Sequence, residues 1–452
     1  MALRTKPEAQ LAALLRMAVA VLEPGFGVRI WTGERIGSET GPILVIDDPA
    51  ALARLLLRPT VDRAAELWTS GALDVEDGTL FDLAALRPSV RTREALKRLD
   101  KRALVRALPT VLRLAARHRA RSASVAAGAG VSGSTTEAIR HHYDVSNDFY
   151  ALFLDERMVY SCGYFDGWHD DLDQAQVAKL DMICRKLGLR PDERFLDIGC
   201  GWGALLIHAA SHYGVTGHGV TLSQTQFDLA TRRIREAGLQ DRITIELKSF
   251  QELSGRFDKI ASIGMFEHVG FAHHDAYFDA VRRLLRPRGL YLHHAIARPA
   301  KTTLRAFRRK SPEYAALTKH IFPGGELDFI GHSLQKLEAH RFEIHDVENW
   351  REHYGRTCRI WADRLHRRRD EAAAMVGEAK VRLWLLYLTG CALAFERGTV
   401  MIYQTVASRR GKGSGPWPAT RRHLYADSTD KTDGSAEDGL LRRDELSIAG
   451  FA

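Results

Sequence analysis

Cysteine and long apolar runs are what this sequence has little of. Five cysteines are scattered over 452 residues (Cys162, Cys184, Cys200, Cys358, Cys391) and none forms a C-x-x-C pair. That argues against a disulfide framework or a zinc site. No window reaches the roughly 18 consecutive apolar residues that a spanning helix needs. The opening MALRTKPEAQLAALLRMAVAVLEPG carries a basic residue and apolar stretches, but charges interrupt it and no A-x-A-like cleavage site follows cleanly. It reads as an amphipathic helix of a cytoplasmic protein. Aromatics are scarce between Arg91 and Arg121, which disfavours a stacking platform for single-stranded nucleic acid.

What is there is an ordinary globular composition, 45% hydrophobic and 27% charged, on a chain long enough for two or three units. The net charge of +9 is unevenly placed. Eleven Lys or Arg residues stand between Arg91 and Arg121 against two acids, Glu94 and Asp100, with Leu96, Leu99, Leu104, Val105, Leu108, Val111, Leu112 and Leu114 among them. Such a stretch suits an anionic membrane surface, a nucleic acid, or simply the solvated face of a domain helix.

The chain divides by texture. Residues 1–121 hold two β-like pieces, Val28–Trp31 and Ile43–Ile46, followed by helical periodicity. Residues 122–136, SASVAAGAGVSGSTT, are a linker by composition. Residues 137–410 alternate helix and strand, and 411–452 turn polar and acidic, a tail expected to be mostly disordered. In the middle unit the strand candidates are 194–198, 217–222, 243–247, 259–265, 290–296, 342–347 and 399–405, with helices between them. This is the pattern of a doubly wound α/β sheet.

FLDIGCGWGALLIHAA, residues 195–210, is the strongest single motif. An apolar strand ends in Asp197, passes Gly199, Gly201 and Gly203, and opens a helix. A dinucleotide site wants G-x-G-x-x-G and an acid about 20 residues later for the ribose. Here the spacing is G-x-G-x-G, Trp202 crowds the loop, the acid precedes the glycines, and Thr221-Leu222-Ser223 stand where the ribose acid belongs. The loop suits a cationic sulfonium better than a pyrophosphate, favouring S-adenosylmethionine over a nicotinamide dinucleotide. A second signal is SIGMFEHVG, 262–270, where a strand ends by presenting Glu267 and His268. Alone, Glu267 reads as an acid in the first turn of the following helix.

Eight stretches in this order, HYDVSNDFYALFLDERMVYSCGYF (142–165), LDIGCGWG (196–203), VTLSQTQ (220–226), SIGMFEHVG (262–270), LHHAI (292–296), IFPGG (321–325), YGRTCRIW (354–361) and YLTGCALAF (387–395), resemble the cyclopropane-fatty-acyl-phospholipid synthase family, which includes the mycolic acid cyclopropane synthases and their methyltransferase relatives. The resemblance spans roughly residues 137–408. It implies a Rossmann-like class I methyltransferase fold, doubly wound with a mostly parallel seven-stranded sheet, and a smaller α+β N-terminal domain like that of the phospholipid-acting members.

The implied reaction transfers the methyl of S-adenosylmethionine to the cis double bond of an unsaturated acyl chain of a membrane phospholipid. The sulfonium methyl is already activated, so alignment and a dry pocket matter more than an acid. A base must then take a proton so that the ring closes. By the resemblance that base is bicarbonate, held by Glu267, His294, Tyr354 and the amides of Cys162 and Ile296. Two carboxylate-like groups cannot both stay charged in a dry pocket, so Glu267 and the anion are expected to share a proton. Cys391 is treated in the family as an active-site cysteine, but its apolar neighbours fit packing equally well. His268 and His293 read as supporting or core histidines. The resemblance further places Tyr160, Ser161, Gly199 and Gly201 at the methionine end of the cofactor, Thr221 and Gln226 around the ribose, and Phe250 and Gln251 at the adenine. At the adenine end the chain departs from many relatives by reading Lys248-Ser249-Phe250-Gln251.

The implied enzyme sits on the inner face of the membrane. The basic stretch, with Arg305, Arg308, Arg309 and Lys310, is the candidate for docking on anionic lipid. A homodimer and, for a 10-methylene product, a partner reductase are the further expectations. Competing readings are that methylene product, a non-catalytic lipid-binding protein on the same fold, and a dinucleotide oxidoreductase.

Overall fold

The computed structural model describes residues 6–86, 94, 98, 100–122, 146–309 and 325–425. Nearly all of the linker, residues 142–145 of the first family stretch, Lys310, most of IFPGG and the far end of the tail lie outside them.

The N-terminal unit is α+β, as expected. Four short strands, β1 (Gly27–Ile30), β2 (Arg35–Gly37), β3 (Ile43–Ile46) and β4 (Asp74–Glu76), lie in the order β2-β1-β3-β4, with only β1 and β3 parallel. The helix Pro49–Leu57 starts cleanly because Asp48 accepts from the amide of Ala50 and Pro49 needs no donor partner there. The basic stretch contributes the helix Lys101–Ser122. Its Ala107, Val111, Leu114 and Ala115 are buried with Leu11, Val28 and Leu52 in the core of this unit. Its opposite side is both basic and apolar: Leu104, Val105, Leu108 and Leu112 are exposed, Val105 at 71%, beside exposed Lys101, Arg102, Arg106 and Arg113.

The second unit is a seven-stranded sheet: β5 (Arg194–Ile198), β6 (Thr216–Thr221), β7 (Ile243–Leu247), β8 (Phe257–Ile263), β9 (Leu285–Ala297), β10 (Phe342–Asn349) and β11 (Met401–Arg409). Their order is β7-β6-β5-β8-β9-β11-β10, parallel except for β11, which runs against both its neighbours. Phe195, Leu196, Asp197 and Ile198 of central β5 are all buried, as a strand covered on both faces requires. The chain leaves β5 in one direction for β6 and β7, then returns to β8 on the other side. That reversal opens a crevice at the carboxyl ends of β5 and β8.

Three expectations are corrected. The strand read over 290–296 begins earlier, at Leu285: the preceding helix ends at Leu284, and Arg286-Pro287-Arg288-Gly289 already belong to β9, entered through a register shift at Phe257/Lys259 with Arg288 at φ 61°. Strand β8 ends at Ile263, earlier than read, because Gly264 turns at φ 62° and Phe266–His268 form a 3-10 turn. The tail is ordered over 411–425. Trp417 donates to the carbonyl of Lys186 at 2.8 Å, Arg421 pairs with Asp346, and Leu424 is buried, so these anchors hold a stretch that composition alone marks as loose.

The two units dock through Arg382 on the helix Glu378–Glu396. Its guanidinium donates to the carbonyl of Trp68 at 2.7 Å and pairs with Asp74 at 3.1 Å, while Trp68 returns a bond to the carbonyl of Arg382 at 2.8 Å.

Candidate active site

A cavity of about 420 Å³ fills the crevice above β5 and β8. The nine residues expected at the cofactor, Tyr160, Ser161, Asp197, Gly199, Gly201, Thr221, Gln226, Phe250 and Gln251, all line it. The glycine loop explains part of the shape. Gly201 takes φ 53° and a Cβ there would meet nothing within 4 Å, so its missing side chain leaves open space at the loop. On β6, a Cβ at Gly219 would lie 2.6 Å from Leu206 Cδ1 and 2.8 Å from Cys200 Sγ, so any side chain there would force these neighbours to shift.

Charge in the cavity is sparse and costly. Asp197 is buried, its Oδ1 has no hydrogen-bond partner, and burial pushes its carboxyl up to about 7. Lys179 from the helix Leu172–Leu187 also lines the cavity, donates to Ser161 Oγ at 2.9 Å, and is drawn down by burial to about 8. A bound cation beside Asp197 would restore the carboxylate. The orphaned oxygen, the open glycine loop and the aromatic Phe250 therefore fit S-adenosylmethionine.

The residues expected to hold an anion do not line this cavity themselves, but Cys162 and Glu267 directly adjoin Ser161 and His268 of its wall. Gly264, in its wall, donates its amide to the carbonyl of His294 at 2.9 Å. Glu267, fully buried in the turn after β8, accepts the amide of Ile296 at 2.7 Å through Oε1, while Oε2 has no partner. Burial lifts its carboxyl to about 7. His294 on β9 is likewise buried, with Nδ1 bonded to Gln404 at 2.9 Å and Nε2 unpartnered. Cys162 reaches the carbonyl of Trp350 at 3.8 Å, and Trp350 packs edge-on against His294 at 5.5 Å. Tyr354 packs on Phe395 at 4.6 Å in the same cluster as Cys162 and Ile296, and burial holds its phenol far above the ordinary range. One expectation changes in detail: the Ile296 amide, assigned to an anion, donates to Glu267 itself. Cys391 packs against the same cluster as Tyr354 and Cys162, and burial pushes its thiol up to about 12.

His293 bonds Tyr291 through Nδ1 at 2.8 Å and belongs to the core, as read. Sequence reasoning missed Lys179, Lys186 and Gln404. The signal was available for the lysines, which fall among Leu172, Ala175, Leu180, Ile183 and Leu187 on the buried face of one helix.

Comparison with known proteins decides the family. The model of the mycolic acid cyclopropane synthetase family matches residues 132–405. The chain belongs to that family. A probable fatty acid methyltransferase from Pseudomonas putida is 40% identical over 292 residues, covering 64% of this chain and 73% of that protein. The cyclopropane-fatty-acyl-phospholipid synthase of Escherichia coli K12 is 40% identical over 270 residues, 60% of this chain and 67% of that one. Among solved structures, the cyclopropane synthase MmaA2 from Mycobacterium tuberculosis aligns with a TM-score of 0.57 at 32% identity, over 62% of this chain and all of that one. Mycolic acid cyclopropane synthase CmaA1 complexed with SAH and CTAB aligns with the same score and identity, over 60% and 98%. The fold is the class I methyltransferase fold, and the protein is an S-adenosylmethionine-dependent methyltransferase.

Proposed function

We propose that this methyltransferase acts on the cis double bond of an unsaturated acyl chain in a membrane phospholipid and closes a cyclopropane ring, with bicarbonate as the base. One observation carries the reading. Two buried polar atoms, Glu267 Oε2 and His294 Nε2, have no partner in the protein, beside a cavity suited to a sulfonium cofactor. Burying such atoms unsatisfied costs about 1–3 kcal/mol each, and a lipid carrier has no need of them.

The cofactor supplies an electrophilic methyl that needs no acid. The protein's share is position and dryness. Tyr160 and Ser161 bring the wall of the cavity against the aromatic cluster of Tyr150, Phe153, Trp361 and Trp384, which excludes water from the reacting carbon. Bicarbonate would be held by Glu267, His294, Tyr354 and the Cys162 amide, supplying a weak base in a dry place. Glu267, with its carboxyl near 7, holds the proton that lets two acids share that space. Cyclopropane closure requires the proton to leave the delivered methyl. Loss elsewhere gives the 10-methylene product.

The membrane is approached without being crossed: among the described residues no helix is long and apolar enough to span it. The exposed face of the helix Lys101–Ser122 and exposed Leu304, Arg305, Arg308 and Arg309 suit anionic lipid, apolar groups entering and cations holding. On this reading the enzyme works from the inner face of the membrane.

The test is a product assay with purified protein, S-adenosylmethionine and vesicles of an oleoyl phospholipid. A gain of one CH₂ with high-field cyclopropane protons is expected. The same gain with exocyclic methylene protons would transfer the enzyme to the branching methyltransferases. No gain while cofactor binds would overturn the proposal for this lipid.

A further inference from the structure

Three neighbouring strands place Glu348, Gln404 and His294 in direct register, Glu348 opposite Gln404 and Gln404 opposite His294. Their side chains are bridged from above by Lys186 on the helix Leu172–Leu187. Lys186 Nζ pairs with Glu348, donates to Gln404 Oε1 at 2.8 Å, and lies 5.1 Å from the centre of the Trp350 ring. Gln404 Nε2 then meets His294 Nδ1 at 2.9 Å. Lys186 and Gln404 are fully buried, so no solvent competes for these bonds.

The direction of this chain is fixed by chemistry rather than by choice. A lysine ammonium has three donors and no acceptor, so the Gln404 atom facing it must be the oxygen. The Gln404 NH₂ is thereby turned to His294. An NH₂ only donates, so Nδ1 of His294 must be the bare, accepting nitrogen. Burial keeps His294 neutral, with its pKa well below the usual histidine value, so the single ring proton sits on Nε2. Nε2 has no hydrogen-bond partner, and the backbone of His294 is tied through the Gly264 amide to the segment that leads into the Glu267 turn.

We propose that Lys186 and Gln404 are positioning residues that lock His294 as its Nε2–H tautomer, so that the histidine is a fixed hydrogen-bond donor to an anion in the Glu267 clamp and cannot serve as the base. The inference rests on the proposed bicarbonate site for its purpose, but the tautomer itself does not depend on that site. It also assigns the roles within the clamp: the histidine donates, and the base must be a separate group.

The experiment is ¹⁵N NMR of the full-length protein labelled at histidine, with His294 assigned by its loss in His294→Asn. The wild type is expected to show a protonated Nε2 and a bare Nδ1. In Gln404→Glu the carboxylate accepts instead of donating, so Nδ1 becomes protonated. In Lys186→Met the amide is free to turn and the two tautomers mix, and Lys186→Arg restores the wild-type signature. Bicarbonate affinity, read with ¹³C-bicarbonate, weakens roughly 10- to 100-fold in Gln404→Glu while S-adenosylhomocysteine affinity is unchanged, as loss of one charge-assisted bond predicts. A wild-type His294 carrying its proton on Nδ1 would overturn the proposal, as would a Gln404→Glu protein that keeps the wild-type signature. Should the Gln404 variants fail to fold, the wild-type spectrum decides alone. A wild type with the Nε2–H tautomer that binds no bicarbonate would uphold the lock and sink the base reading.

Discussion

Replacing Glu267 by Gln should make the pH dependence of folding reveal how much the burial of this carboxyl costs. The ordinary carboxyl value is 4.5, and in the folded protein burial lifts Glu267 to about 7. A carboxyl raised on folding binds more protons in the folded state. Its contribution therefore favours folding below about pH 4.5 and is lost as pH rises through about 7. Going from 4.5 to about 7, at 1.36 kcal/mol for each pH unit, amounts to on the order of 3 kcal/mol. This is an upper figure, because the buried charge can relax. A glutamine in that place does not titrate and contributes nothing to the pH dependence. The stability of Glu267→Gln minus that of the wild type should thus grow by about 3 kcal/mol between pH 4.5 and pH 8. Urea unfolding of both proteins without cofactor, in bicarbonate-free buffers across that range, reads it directly. The same variant should lose most of its methyl transfer, a stable protein with a weakened site. A difference in stability that stays flat with pH would mean that Glu267 titrates as an ordinary carboxylate, and the buried clamp would fall with it.

Three further outcomes are expected. Gly219→Ala drives a methyl into Leu206 and Cys200 and should cost about 1–3 kcal/mol, seen as a lower urea midpoint; an unchanged midpoint would contradict the packing. Cys391→Ala should keep methyl transfer within roughly threefold of wild type, because a thiol held at about 12 has almost no thiolate at neutral pH; a hundredfold loss would return Cys391 to the chemistry. Arg382→Ala removes the bonds to Trp68 and Asp74 and should loosen the N-terminal unit by on the order of 3 kcal/mol. Limited proteolysis would then cut the variant faster within residues 6–86, and equal rates would refute the docking role.

Much of the site was legible because its signals are local. The strand Arg194–Ile198, the glycines after it, and Glu267 at a strand end follow from apolar runs broken by residues with special conformations. Strand direction was not legible at the far edge, since nothing in MIYQTVASR says that β11 must run against β9 and β10. The lysine–glutamine bridge was hidden for a similar reason. Gln404 and Glu348 read as ordinary polar residues of late strands, and only tertiary pairing brings them beside His294. Lys179 and Lys186 break the rule that helix lysines face water, and such breaches of a local rule tend to occur at functional sites. The ordered tail segment was missed because a few anchors, Trp417, Arg421 and Leu424, outweigh a polar composition.

The most direct test of the clamp is the dependence of methyl transfer on bicarbonate. Wild-type enzyme, freed of carbon dioxide, should lose rate and recover it as bicarbonate is restored, while Glu267→Gln should stay slow at every concentration. A wild-type rate that ignores bicarbonate throughout would contradict the account.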